Sequence, residues 1–255
     1  MSKKQIAAEI IRQTSLADGI FDMTLKAEEI AKEAKAGQFL SVYLNNPSKL
    51  LPRPISICGI DREQGTLRIV YRIAGEGTRE LSSYQPGSRV RILGPLGNGF
   101  TIKKEKAILI GGGIGIPPML ELARELSCEK TIVLGYRDQQ MFLKDEFEEL
   151  GRVVVSTEDG SYGTRGNVMD AIREQGVEGS IIYACGPTPM LRGIKAYAME
   201  QGMEAQISLE ERMACGIGAC LACVCKSGEV DSHSNVHNKR VCKDGPVFDA
   251  REVEL

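Results

Sequence analysis

Apolar and polar positions alternate in short runs over the first hundred residues. IAAEIIRQT, IFDMTLKA, QFLSVYL, PISICGI, TLRIVYRI and RVRILGP are each alternating or apolar and bounded by turn formers. Strands at this spacing predict a small antiparallel β-barrel. AEEIAKEAKAG and GTRELSSYQPG interrupt them with helical periodicity and end at glycine. GPLGNGF, residues 94–100, is a turn-rich seam and a boundary.

Past that seam the period changes. KAILIGGGIGIPPMLELAREL reads as a buried strand, a glycine turn and a helix. KTIVLGY, RVVVST and SIIYACG follow as strands, separated by DEFEEL and NVMDAIREQ as helices; PMLRGIKAYAMEQ closes as a helix. AQISLEER adds a strand near 205–210. Strands alternating with helices predict βαβ units and a parallel sheet. From about 211 the chain becomes cysteine-rich and irregular. The expected fold is thus mixed β and α/β. A barrel over 1–100 precedes a nucleotide-binding sheet over 101–210 and a small metal-binding domain over 211–255.

Composition narrows the function classes. At 255 residues with a net charge of −2, the chain gives no reason to expect nucleic acid or an anionic membrane as partner. No stretch approaches the roughly 20 apolar residues of a membrane span. Glu9 and Arg12 interrupt what would be the apolar core of a signal peptide. A cytoplasmic setting is expected, and reduced cysteines there serve as metal ligands or redox groups.

Two strand-to-helix turns carry candidate nucleotide chemistry. Glycines at Gly111, Gly112, Gly113 and Gly115 precede Pro117 and Pro118. Such a turn lets backbone approach a pyrophosphate, and the helix that follows supplies N–H donors. Cys185 and Gly186 form a second turn of this kind, and both could flank one cofactor. No histidine lies near Cys185 in sequence, so it reads as a small packed residue beside a cofactor, not a nucleophile.

In the barrel half, Arg53-Pro54-Ile55-Ser56 offers a guanidinium fork for a phosphate and a hydroxyl donor for a ring or ribose. Val70-Tyr71-Arg72 follows, and Gly77-Thr78 opens a helix. Together they supply the grip, wall and donors that a flavin nucleotide needs.

Cysteines crowd the tail. Cys215-x4-Cys220-x2-Cys223, with Cys242 beyond, matches the plant-type spacing of a 2Fe–2S cluster. Gly216 and Gly218 let the loop bend, and Cys225 is left over. Disulfides or free thiols are one alternative, and a zinc site from Cys220, Cys223, His233 and His237 is the other. It leaves nine residues between the pairs, short of the usual twelve or so, and strands Cys215 and Cys242. Nicotinamide exchanges electron pairs, an iron–sulfur centre single electrons, and a flavin both, so the three modules form a logical series.

Arg53-Pro-Ile-Ser56, the Gly111–Pro118 turn, Cys185-Gly-Pro and the barrel–sheet order resemble the ferredoxin-reductase family. With the tail RMACGIGACLACVC…VCKDGPVF, the whole chain resembles the electron-transfer subunits of NAD-dependent, B-type dihydroorotate dehydrogenases. That resemblance implies FAD contacts at Arg53–Ser56, Val70–Arg72 and Gly77-Thr78, and cluster ligands at Cys215, Cys220, Cys223 and Cys242. It implies NAD, and a separate FMN-containing catalytic subunit that oxidises dihydroorotate in pyrimidine synthesis, in a heterotetramer of two plus two. Arg137 could meet a 2′-phosphate, but the neighbouring Asp138 argues against NADP. No catalytic acid, base or nucleophile for substrate chemistry stands out. The rival readings are a reductase subunit serving ferredoxin, hydrogenase or sulfide chemistry, and a non-catalytic redox sensor.

Overall fold

A computed structural model describes residues 3–255. Six strands close the expected barrel: β1 (Lys4–Ala17), β2 (Ile20–Lys26), β3 (Phe39–Tyr43), β4 (Arg53–Asp61), β5 (Thr66–Arg72) and β6 (Arg89–Leu96). They run in the order β1-β2-β5-β4-β3-β6, every pair antiparallel. Alternation places Ile10, Met23, Leu25, Leu40, Ile57, Leu67, Ile69 and Ile92 in the barrel interior, all fully buried. Two short helices, α1 (Glu28–Ala31) and α2 (Glu76–Ser82), fill the connections.

A sheet follows, built from β7 (Ala107–Gly112), β8 (Lys130–Tyr136), β9 (Arg152–Thr157), β10 (Thr164–Arg165), β11 (Ile181–Cys185) and β12 (Glu204–Ser208). Helices α3 (Pro117–Glu125), α4 (Lys144–Glu148), α5 (Val168–Glu174) and α6 (Thr188–Glu200) alternate with them. The central strands are apolar runs because both faces are covered: Ile108, Leu109, Ile110, Ile132, Val133 and Leu134 are fully buried. Strand order is β10-β9-β8-β7-β11-β12, with a strand of the tail, β15 (Val247–Asp249), beyond β12, so the winding reverses between β7 and β11. That reversal opens a crevice at the carboxyl ends of β7 and β11.

The tail is less irregular than its sequence suggests. It contributes β13 (Val224–Lys226), β14 (Asn238–Arg240) and β15 (Val247–Asp249). β15 returns to the sheet and pairs antiparallel with β12, Ile207 facing Phe248. Strands of two or three residues, like β10 and β15, are too short to show a period of two. Docking on an existing edge stabilises them, not their own pattern.

Two seams fix the parts together. Asn98, in the 94–100 segment, donates its backbone N–H to Gly245 O at 2.6 Å, and its side-chain amide to the Asp244 and Lys243 carbonyls. On the other flank the Arg68 guanidinium, from β5, forks onto Glu146 of α4 at 2.6 and 2.8 Å and reaches buried Asp22 of β2 at 3.0 Å. Arg124 of α3 also meets Glu146, at 2.9 Å, and Glu121 accepts from the Ile60 N–H at 3.0 Å.

Candidate functional site

Because β4 and β5 are antiparallel, Arg53 at the start of one and Arg72 at the end of the other lie at the same end of the barrel. This end of the barrel borders a cavity of about 630 Å³. Arg53, Pro54, Ile55, Ser56, Val70, Tyr71, Arg72 and Thr78 form one wall. Ile114 and Ser208, from the sheet, and Glu210–Met213, from the neck of the tail, form the other. All three parts of the chain meet at this space.

Each side chain is held for a local reason. The Arg53 guanidinium lies over Gly77, where a Cβ would collide with it. Arg53 reaches only the Pro52 carbonyl, at 3.5 Å, and pairs with no carboxylate among the described residues. Its charge is therefore open to an anion in the cavity. Tyr71 stacks on Phe21 at 6.0 Å and donates its hydroxyl to Gln13 Oε1 at 2.9 Å, so its phenol oxygen is engaged on the barrel side. The Thr78 hydroxyl accepts from Ala74 N at 2.8 Å and Gly75 N at 3.3 Å and closes the first turn of α2. Sequence reasoning missed Glu210 at the mouth. Its side chain is open to solvent but ringed by cavity wall. Partial desolvation by that wall raises its carboxyl above the ordinary range, against the opposing charge of Arg72.

The two strand-to-helix turns meet at the crevice. Cys185 pairs with Gly111 across β11 and β7. A Cβ on Gly115 would strike the Cys185 carbonyl, and one on Gly112 would strike the Met190 sulfur. These glycines allow the turns to touch; Gly113, at φ +54°, has open space above it. α3 begins at Pro117, whose missing N–H costs nothing there. Gly186 and Thr188 also line a second cavity of about 420 Å³, shared with Glu210. Cys185 is buried, and burial pushes its thiol up to about 12 despite a hydrogen bond with Ser208. That agrees with a packed residue, not a nucleophile.

The tail brings its four spaced cysteines together as two pairs. Cys215 and Cys220 are neighbours whose thiols interact, as are Cys223 and Cys242. Cys215 Sγ accepts from the N–H groups of Ile217 at 3.4 Å and Ala219 at 3.3 Å, and Cys223 Sγ from that of Cys242 at 3.4 Å. Burial works against ionising Cys215, but these donors and Cys220 win and bring it down to about 6. Cys242 brings Cys223 down to about 7, against burial. In that pair Cys242 keeps the proton, its own pKa raised by Cys223 and by burial.

This donor set fits a two-iron cluster. Thiolates are the required ligands, and two pairs suit two bridged irons. Among the described residues no three of His, Cys, Asp or Glu could hold a single metal ion. His237 Nδ1 lies 3.1 Å from Gly228 O, and a zinc site built on the two histidines would leave Cys215 and Cys242 without a role. Cys225 stands apart: its thiol donates to Lys239 O at 3.5 Å and is pushed up to about 11 by burial.

Gly216 at φ +67° and Gly218 at φ +88° give the loop its curl. Buried Arg240 braces it, donating to Gly218 O at 3.1 Å while held by Asp231 at 3.0 Å and Asp244 at 3.2 Å. Only the closeness of Arg240 to Cys242 in sequence could have signalled this role.

Three family models match successive parts of the chain. Residues 8–100 match a model of an oxidoreductase FAD-binding domain, and 109–196 one of an oxidoreductase NAD-binding domain. Residues 210–254 match the iron–sulfur cluster binding domain of dihydroorotate dehydrogenase B. The dihydroorotate dehydrogenase B (NAD(+)) electron transfer subunit of Shouchella clausii is 42% identical, covering 100% of both chains. That of Listeria innocua is 44% identical over 98% of this chain and 99% of its own. A solved chain of an NADH-dependent reduced ferredoxin-NADP oxidoreductase superposes with a TM-score of 0.87 at 31% identity, covering 98% of this chain and 90% of that one.

Proposed function

The chain belongs to the family of dihydroorotate dehydrogenase B (NAD(+)) electron transfer subunits, and from that premise we propose its partner and its direction of flow. It is an oxidoreductase subunit with FAD-, NAD- and iron–sulfur-binding domains. Electrons come from the FMN of a separate catalytic subunit that oxidises dihydroorotate, and end on NAD+. When bound, the flavin trades hydride with nicotinamide and single electrons with the cluster.

The observation that carries this reading is the cavity between Arg53, Ile114 and Arg212, where barrel, sheet and tail converge. Arg53 grips the flavin phosphates, and the Ser56 hydroxyl meets the ring or ribose. Val70, Tyr71 and Arg72 wall the site. Gly113, with Gly111, Gly112 and Gly115 behind it, receives the dinucleotide, and Cys185-Gly186 borders the nicotinamide. Cys215, Cys220, Cys223 and Cys242 would hold the cluster. Ile217, Leu221 and Val224 are exposed around this loop, and an apolar rim beside a one-electron centre suits partner docking. A two-plus-two heterotetramer in the cytoplasm completes the proposal. Among the described residues no helix is long and apolar enough to cross a membrane.

A second reading has one observation behind it, the superposition on the ferredoxin-NADP oxidoreductase chain. It makes the chain a reductase subunit of a ferredoxin system. Purified chain, loaded with FAD and iron, is assayed with dihydroorotate and NAD+, alone and with the catalytic subunit. NADH formation only in the mixture is expected. Orotate production by the chain alone would overturn the division of labour, and coupling to ferredoxin but not to the catalytic subunit would favour the second reading.

A further inference from the structure

Ser41 lies on β3, 1% exposed, and its Oγ is one of the few buried side-chain polar atoms with no hydrogen-bond partner among the described residues. Its neighbours Leu40 and Val42 fill the barrel interior, so alternation turns Ser41 to the outer face. Phe39, two positions earlier, lines the flavin cavity. The pairing of β3 with β6 carries an irregularity between Phe39 and Ser41, a device that re-aims side chains.

What covers Ser41 is the cluster loop. A Cβ built on Gly216 would come within 2.7 Å of Ser41 Oγ and 3.3 Å of Leu96 Cδ1. Gly216 is the residue after Cys215, at φ +67°, and only the absence of a Cβ there keeps the loop clear of the hydroxyl. The loop presses on Ser41 without bonding it, while the adjoining Cys215 Sγ is the loop's main acceptor, taking N–H groups from Ile217 and Ala219. A hydroxyl buried without an acceptor is unfavourable, and a native structure keeps one where something else accepts from it.

We propose that Ser41 donates its Oγ–H to a sulfur of the 2Fe–2S cluster at its Cys215 end, so that a residue of the flavin-bearing barrel sets the cluster's reduction potential. This rests on the cluster reading above. A hydrogen bond to sulfur stabilises the more negative, reduced form and raises the potential. The apolar flank of Leu96 strengthens it by excluding water. Ser41 pairs with Pro54 on the adjacent strand, so one patch of barrel touches both redox centres.

The test uses the full chain with Ser41→Ala and Ser41→Thr. Iron, acid-labile sulfide and FAD are counted first. A wild type that takes up no iron or sulfide refutes the cluster itself, which is a different failure from that of Ser41. With the wild type loaded, redox titration followed by EPR is expected to give a lower cluster midpoint for Ser41→Ala, a wild-type-like one for Ser41→Thr, and an unmoved FAD midpoint. Pulsed EPR in deuterated buffer is expected to lose one exchangeable coupling in Ser41→Ala. Unchanged cluster midpoint and couplings, or a shift confined to FAD, would overturn the proposal. Should Ser41→Ala fail to hold iron, wild type and Ser41→Thr decide it: one exchangeable coupling beyond those of the backbone amides, shared by both, supports the bond, and its absence overturns it.

Discussion

The backbone N–H of Cys242 donates to Cys223 Sγ at 3.4 Å, joining residues 19 positions apart in the chain. The bond delivers a distal thiol to the loop that carries the other three. The Cys242 side chain, helped by this backbone bond, holds the Cys223 thiol down near 7 against burial, while Cys223 and burial push the Cys242 thiol up.

Serine at position 215, 220, 223 or 242 is expected to remove most of the bound iron, because each iron would lose one of two thiolates. Cys225→Ser is expected to leave iron and labile sulfide per chain unchanged, since that thiol donates to Lys239 O outside both pairs. Metal and sulfide assays with visible absorption check both outcomes. Full iron in Cys242→Ser would sink the assignment.

Arg53 reaches only a single protein carbonyl, at 3.5 Å, and lines the cavity with an unpaired charge. A charged hydrogen bond to phosphate contributes about 1.5–3 kcal/mol, so Arg53→Ala is expected to weaken FAD binding roughly ten- to hundredfold. Arg53→Lys keeps the charge but loses the fork, and is expected to fall between the two. Equilibrium dialysis against FAD reads the change, with iron content as the control for folding.

Gly115 lets the first nucleotide turn rest on the second, and a Cβ there would strike the Cys185 carbonyl. Gly115→Ala is expected to part the turns and to slow flavin reduction by NADH roughly a hundredfold, as a misplacement near 1 Å does. FAD and iron content are expected to stay whole, because neither site includes this contact. Stopped-flow bleaching of the flavin under NADH separates the two effects.

The sequence makes the barrel, the βαβ sheet and the spaced cysteines readable because each rests on local periodicity or local spacing. Ile108–Ile110 announce a doubly covered strand, and Cys215-x4-Cys220-x2-Cys223 announces a loop that wraps a cluster. What stayed hidden depends on distant partners. The packing of Gly115 on Cys185 requires knowing that β7 and β11 are neighbours. Arg240 reads as one more surface cation until Asp231, Asp244 and Gly218 close round it. Glu210 looks like part of an acidic run, and only the convergence of two cavities gives it a place. Burying Ser41 under Gly216 requires the tail to fold back on the barrel.

Arg68 ties barrel to sheet through Asp22 and Glu146, and that tie is expected to titrate. Burial alone would raise the Glu146 carboxyl, but Arg68 and Arg124 outweigh it and hold it below its ordinary value of 4.5. A carboxylate with a depressed native pKa adds stability above the ordinary value. As pH falls below it, the unfolded chain takes the proton first and that stability drains away. The wild type is therefore expected to lose stability on acidification below about pH 4.5. Arg68→Met removes the larger of the two causes and leaves Arg124, so its own stability is expected to fall less steeply with pH. At neutral pH the same variant is expected to be weaker by about 3 kcal/mol, because Asp22 is left buried with only Arg12 beside it. Urea unfolding at about pH 7 and pH 4 reads both, and parallel pH profiles for the two proteins would show that the Arg68–Glu146 pair is not the titrating tie between the halves.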